Sequence, residues 1–123
     1  IECIRFDGGR FDILNGFDEM LLCGMAVGAR GGVGSTYNYS LRTYQNIYDA
    51  FMAGDLEQAR AAQQESVDIV HVIINHGGGI RGGKAIMKLV GIDCGDCRLP
   101  LAPYTEAEIA RLDEELRAIG FKK

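Results

Sequence analysis

Residues 13–38 read ILNGFDEMLLCGMAVGARGGVGSTYN, and the order of element types in this stretch decides the fold. The apolar run of Phe11 to Asn15 lacks alternation and predicts a short buried strand, closed by Asn15-Gly16. The acidic pair Asp18-Glu19 follows, and Leu21, Leu22 and Met25 then recur at helical spacing up to Gly28, a natural C-cap. Gly31 to Gly34 is poor strand material by propensity. It suits a short strand where backbone or ligand approaches closely, and it ends in Ser35-Thr36-Tyr37-Asn38. Strand, polar loop, helix, strand and polar loop is a βαβ unit, with both polar clusters just after the strands, where parallel α/β architectures bind ligands.

Working outward, Ile1 to Asp7 reads as the end of a helix stopped by Gly8-Gly9. Ser40 to Ala53 reads as a helix whose apolar stripe is Leu41, Tyr44, Ile47 or Tyr48, and Phe51. Asp55 and Gln58 predict the capped start of a helix from Leu56 to about Asn75, broken at Gly77-Gly78-Gly79. Lys84 to Val90 predicts another helix, and Asp93 to Pro103 a loop. Thr105 to Glu108 forms a capping box for a final helix, with Ile109, Leu112, Leu116 and Ile119 as its buried stripe. Gly120 closes that helix, and Lys122-Lys123 lie beyond its negative end. Two parallel strands cannot form a covered sheet alone, so the pattern suits the last quarter of a barrel followed by a helical tail.

The 123 residues carry a formal net charge of −4, which gives nucleic acid no basic footprint. No run approaches the ~18 apolar residues of a membrane span, and IECIRFD lacks the features of a secretory signal. A soluble, cytoplasmic setting is expected. Cys3 and Cys23 sit in apolar contexts that suit reduced thiols packed as small hydrophobes. Cys94 and Cys97 form one isolated pair with no further ligands at metal spacing, so no metal is expected and the pair is read as non-functional.

The candidate site is the rim after the two strands. Two carboxylates, Asp18 and Glu19, can accept hydrogen bonds from several hydroxyls of one polyol, although an acidic helix start is the common alternative. Ser35-Thr36 on the neighbouring loop favours a ligand. Gly31 to Ser35 matches neither a Walker A loop nor a dinucleotide fingerprint, and close strand packing explains it as well as an anion cradle does. Tyr37 and Asn38 either line the mouth or orient the loop. Imine chemistry needs a lysine in a desolvated pocket. Lys84, Lys88, Lys122 and Lys123 read instead as a solvated helix face and a terminus.

NGFDE at Asn15 to Glu19 and GVGSTYN at Gly32 to Asn38 resemble the N-acetylneuraminate lyases. These are sialic-acid aldolases of the dihydrodipicolinate-synthase superfamily of (β/α)8 TIM barrels. The likeness continues through AGDLEQA at Ala53 to Ala59, KAIMKLVG at Lys84 to Gly91 and RLPL at Arg98 to Leu101. It implies an α/β fold in which residues 1–53 form the last βα units of the barrel, strands 7 and 8, and residues 54–123 a three-helix extension. It implies a class I lyase that cleaves N-acetylneuraminate reversibly to N-acetylmannosamine and pyruvate, with no cofactor beyond a lysine imine. Gly16, Asp18, Glu19, Gly34 and Ser35 would bind the sugar, Gly34 by admitting its backbone close to the ligand. Phe17 stands where relatives often carry tyrosine. The imine-forming lysine, the catalytic tyrosine and the pyruvate-carboxylate loop would all precede Ile1. No catalytic residue is therefore expected in this chain, which alone should be inactive. A homotetramer, or the preceding barrel segment as a partner, is the implied assembly. The alternatives are a sister aldolase for another 2-keto-3-deoxy sugar acid and a non-catalytic half-barrel that binds sugar.

Overall fold

The computed structural model describes residues 1–122, which fall into two compact units, residues 1–67 and residues 68 onward. Its helices are α1 (Glu2–Arg5), α2 (Leu21–Ala26), α3 (Tyr37–Met52), α4 (Leu56–Asn75), α5 (Gly78–Leu89) and α6 (Glu106–Ala118). Tight 3-10 turns cover Phe6–Gly9 and Asp18–Met20. Lys123, half of the expected pair of lysines after α6, lies outside the described residues.

In the first unit, the two expected strands reduce to one parallel bridge between Asn15 and Gly32. The Asn15 amide donates to Gly31 O at 2.9 Å, and the Val33 amide donates to Asn15 O at 2.9 Å. The pairing falls within the two stretches expected to be strands, and it is parallel, but the ladder stops there. A short parallel strand needs partners on both edges and cover on both faces. Here Leu14 is 50 % exposed and Val33 64 % exposed, so little holds the pair beyond the bridge.

The first unit is held instead by α2 and α3. Leu21, Met25, Tyr44, Ile47 and Ala62 form its buried cluster, flanked by Leu22, Tyr37 and Phe51. Cutting a fully buried isoleucine such as Ile47 to alanine costs about 2–5 kcal/mol, so this small cluster carries much of the unit's stability. Of the stripe expected on α3, Tyr44, Ile47 and Phe51 pack inward and Leu41 does not. Ser40, Thr43, Tyr44, Ile47 and Ala50 face inward, while Leu41 and Tyr48 are exposed. Polar Ser40 and Thr43 are buried because each has a hydrogen-bond partner, Thr36 O for Ser40 and the Glu65 carboxylate for Thr43. The helix also starts earlier than Ser40, at Tyr37. Cys3 and Cys23 are exposed, which corrects their reading as packed hydrophobes.

α4 covers its expected span, and Asp55 Oδ1 accepts from the Gln58 amide at 2.9 Å. In the second unit, Ile69, Val70, Val72, Ile73, Ala85, Ile86, Leu112 and Leu116 are buried. Ile119, expected in that stripe, is 37 % exposed. α5 begins at Gly78, six residues before Lys84, although glycine is a weak helix former. Packing explains the difference: a Cβ on Gly82 would stand 3.0 Å from the Ile73 side chain, so the bare backbone of α5 lies close against the end of α4. Thr105 caps α6 in a full capping box with Glu108.

Candidate functional site

The 3-10 turn at Asp18–Met20 and the loop before α3 meet at the end of the Asn15–Gly32 bridge. Asp18, buried at 8 % exposure, joins them. Its Oδ2 accepts from the Thr36 amide at 3.1 Å and from Thr36 Oγ1 at 2.5 Å. Thr36 is the N-cap residue of α3, so the carboxylate satisfies an amide at the helix start that has no partner within the helix. Thr36 Oγ1 also lies 2.5 Å from the Tyr44 hydroxyl. Gln63 braces the other side, donating to Asp18 O at 3.2 Å while its Oε1 accepts from the Leu22 amide at 2.9 Å.

These contacts bring the expected rim residues together. Gly16 and Ser35 are exposed, Glu19 and Gly34 are half-buried, and Asp18 sits beneath them. Gly34 is glycine for a local reason: an added Cβ would stand 1.7 Å from Asp18 Oδ1. The close approach at this position is therefore to the carboxylate of the neighbouring loop. Asn38 orients the loop, donating from Nδ2 to Ser35 O at 2.9 Å. Tyr37 turns inward, with its ring 3.9 Å from that of Tyr44.

Burial pushes the Tyr37 and Tyr44 phenols up to about 12, and the Asp18 charge acts in the same direction. The Thr36 hydrogen bond opposes part of the shift at Tyr44. Tyr39 is raised as well, chiefly by burial. All three phenols therefore stay protonated in neutral solution; Tyr44 bonds Thr36, whereas the buried Tyr37 and Tyr39 hydroxyls have no hydrogen-bond partner among the described residues.

Sequence reasoning found the loops but missed Tyr44 and Gln63. Tyr44 reads as part of an apolar stripe, and nothing in the sequence marks Gln63 among its polar neighbours on α4.

The lysines need one correction. Lys84 is not a solvated helix residue: its Nζ donates to Cys94 O, Gly95 O and Asp96 O at 3.1, 3.3 and 2.9 Å. An ammonium committed to three carbonyls is not a free nucleophile. Cys94 is exposed and Cys97 half-buried. Among the described residues no group of histidine, cysteine or carboxylate side chains is placed to hold a metal, and no helix is long and apolar enough to cross a membrane.

The sequence profile of the Dihydrodipicolinate synthetase family matches residues 2–119. The chain is 40 % identical to the N-acetylneuraminate lyase of Gallus gallus over 120 residues, which covers 96 % of this chain and 39 % of that protein. It is 38 % identical to the N-acetylneuraminate lyase of Mus musculus over 113 residues, 91 % of this chain and 35 % of the relative. Among solved structures, the Proteus mirabilis N-acetylneuraminate lyase superposes with a TM-score of 0.90 at 37 % identity, over 98 % of this chain and 40 % of that one. The chain thus spans between a third and two fifths of the length of these relatives.

Proposed function

The chain belongs to the dihydrodipicolinate synthetase family, and from that premise we propose that it is part of a class I aldolase acting on N-acetylneuraminate. In this reading residues 1–53 complete a TIM barrel as strands 7 and 8 with their helices, and residues 54–123 form a helical extension. Gly16, Asp18, Glu19, Gly34 and Ser35 supply the rim that holds the hydroxyl-bearing end of the sugar acid. The observation that carries the proposal is the Asp18–Thr36 junction, which sets both polar loops side by side at the end of a parallel pair. The named relatives, all N-acetylneuraminate lyases, support the choice of substrate.

The reaction proceeds through an imine between a lysine amine and the keto carbon of the sugar acid, with loss of water. Carbon–carbon cleavage then releases N-acetylmannosamine and leaves an enamine, which takes up a proton to become the pyruvate imine, and hydrolysis of that imine releases pyruvate. In this reading that lysine lies outside these residues, and the hold of three carbonyls on Lys84 and the exposure of Lys88 on α5 beside Asp93 support it. A cytoplasmic homotetramer is part of the same proposal.

The test uses the polypeptide at the length its gene encodes, assayed for pyruvate release from N-acetylneuraminate. Borohydride trapping with pyruvate follows, with the adduct located by mass. Turnover with the adduct outside these residues is expected. An adduct on the 123-residue chain alone, or faster use of another 2-keto-3-deoxy sugar acid, overturns the reading.

A further inference from the structure

We propose that Thr36 and Tyr44 are positioning residues of the rim, forming a buried hydroxyl relay that fixes the Asp18 carboxylate and thereby the height of Ser35 and Glu19. The inference rests on the sugar-binding reading above and deepens it.

The direction of the relay follows from proton counting. An ionised carboxylate only accepts, so the single hydroxyl proton of Thr36 goes to Asp18 Oδ2, 2.5 Å away. Thr36 Oγ1 then has only lone pairs to offer Tyr44, also 2.5 Å away, so Tyr44 donates. Each donor in such a chain polarises the next, and here the members are 2 %, 4 % and 8 % exposed, out of reach of competing water.

The relay is anchored at both ends. Tyr44 stands on α3 among the buried cluster of the first unit. Asp18 is held through its own carbonyl by Gln63. Thr36 contributes its amide as well as its hydroxyl to the same oxygen, so Oδ2 is fully engaged and Oδ1 is turned toward Gly34. Ser35 lies between Gly34, which packs against Asp18, and Thr36, which is bonded to it. Tyr44 is buried at 2 % exposure and bonds Thr36. It acts through Thr36, which makes it a determinant of sugar fit without being a contact residue.

The experiment compares Tyr44→Phe, Thr36→Val and Thr36→Ser in the polypeptide at its encoded length. The KM for N-acetylneuraminate is expected to rise about tenfold in Thr36→Val, the scale of one hydrogen bond to a charged group, and about fivefold in Tyr44→Phe, which loses a bond to a neutral hydroxyl. The maximal rate and the yield of borohydride-trapped pyruvate should stay within about twofold, and Thr36→Ser should restore the wild-type KM. Hydrogen exchange supplies a readout that needs no sugar: exchange at the Thr36 amide should speed up in Tyr44→Phe. Unchanged KM and exchange in Tyr44→Phe overturn the relay, as does an equal loss of pyruvate trapping, which marks a merely structural role. Faster exchange in a protein whose wild type does not turn over N-acetylneuraminate supports the relay and overturns the sugar reading alone.

Discussion

Gly34 and Asp18 are fitted to each other: a methyl group on Gly34 would lie 1.7 Å from the Asp18 Oδ1 oxygen. Asp18 cannot swing away cheaply, since its other oxygen holds the Thr36 amide and hydroxyl. Gly34→Ala must therefore break buried, charge-assisted hydrogen bonds, and about 1–3 kcal/mol of stability should be lost in chemical denaturation. The loss should shrink when Gly34→Ala is made in an Asp18→Ala background, because the clashing group is gone. Additive losses in that double-mutant cycle would show that something other than Asp18 excludes a side chain here.

The second close approach in the first unit predicts the opposite sign. Tyr37 presents its hydroxyl to Gly32, where a Cβ would stand 2.5 Å from it, and that buried hydroxyl has no hydrogen-bond partner among the described residues. Removing an unsatisfied buried polar group relieves a desolvation cost. Tyr37→Phe should leave the melting temperature unchanged or raise it, whereas Tyr44→Phe, which deletes a made bond, should lower it. A drop of more than about 1 kcal/mol in Tyr37→Phe would show that the hydroxyl has a partner in solution.

These residues also show what the sequence can and cannot convey. The cluster after each strand was legible because Asn15-Gly16, Asp18-Glu19 and Ser35-Thr36 are local signals, and the parallel bridge formed between the two stretches. Capping was legible for the same reason, at Asp55 with Gln58 and at Thr105 with Glu108. Tyr44 was not, because a tyrosine at helical spacing looks the same whether its hydroxyl faces solvent or a buried threonine. Nor was the start of α5, where packing against Ile73 favours glycine and overrides its poor helix propensity. The bonding of Lys84 was not legible either, because its acceptors are backbone carbonyls about ten residues onward, and carbonyls carry no residue signature.

Lys84 yields a prediction confined to the second unit. One ammonium collects three successive carbonyls of the loop that carries Cys94, and Asp93 Oδ1 accepts from the Gly95 amide at 2.8 Å to complete the curl. Lys84→Met keeps much of the aliphatic stem and removes every donor. Amide exchange across residues 93–98 should accelerate at least tenfold, and alkylation of Cys97 should quicken as the loop loosens. Global stability should fall by only about 1 kcal/mol, since the loop is largely exposed. Unchanged exchange would mean that the loop holds its shape without the lysine.

The capping box of α6 makes the acid limb of stability testable. Glu108 accepts from the Thr105 amide at 2.8 Å, from Arg81 Nη2 at 3.0 Å and from the Thr105 hydroxyl at 2.9 Å, and its carboxyl is lowered to about 2 by these contacts in that order. In the unfolded chain the same carboxyl ionises near about 4.3. A carboxylate whose pKa is depressed by folding adds stability that is fully present above the unfolded value. That stability disappears as the pH falls toward the folded one. Glu108→Gln resembles the protonated state at every pH. The wild type should therefore be the more stable above about pH 5, and the two should converge as the pH approaches about 2. The effect should be modest because the pair with Arg81 is solvent-screened. Glu115, lowered by His76 and then Arg111, gives both proteins the same additional acid sensitivity, so it cancels in the comparison. Urea denaturation of both proteins at half-unit intervals from pH 5.5 to 2.5 reads the difference directly. A constant offset across that range would mean that the Thr105 and Arg81 contacts do not favour the charged form of Glu108.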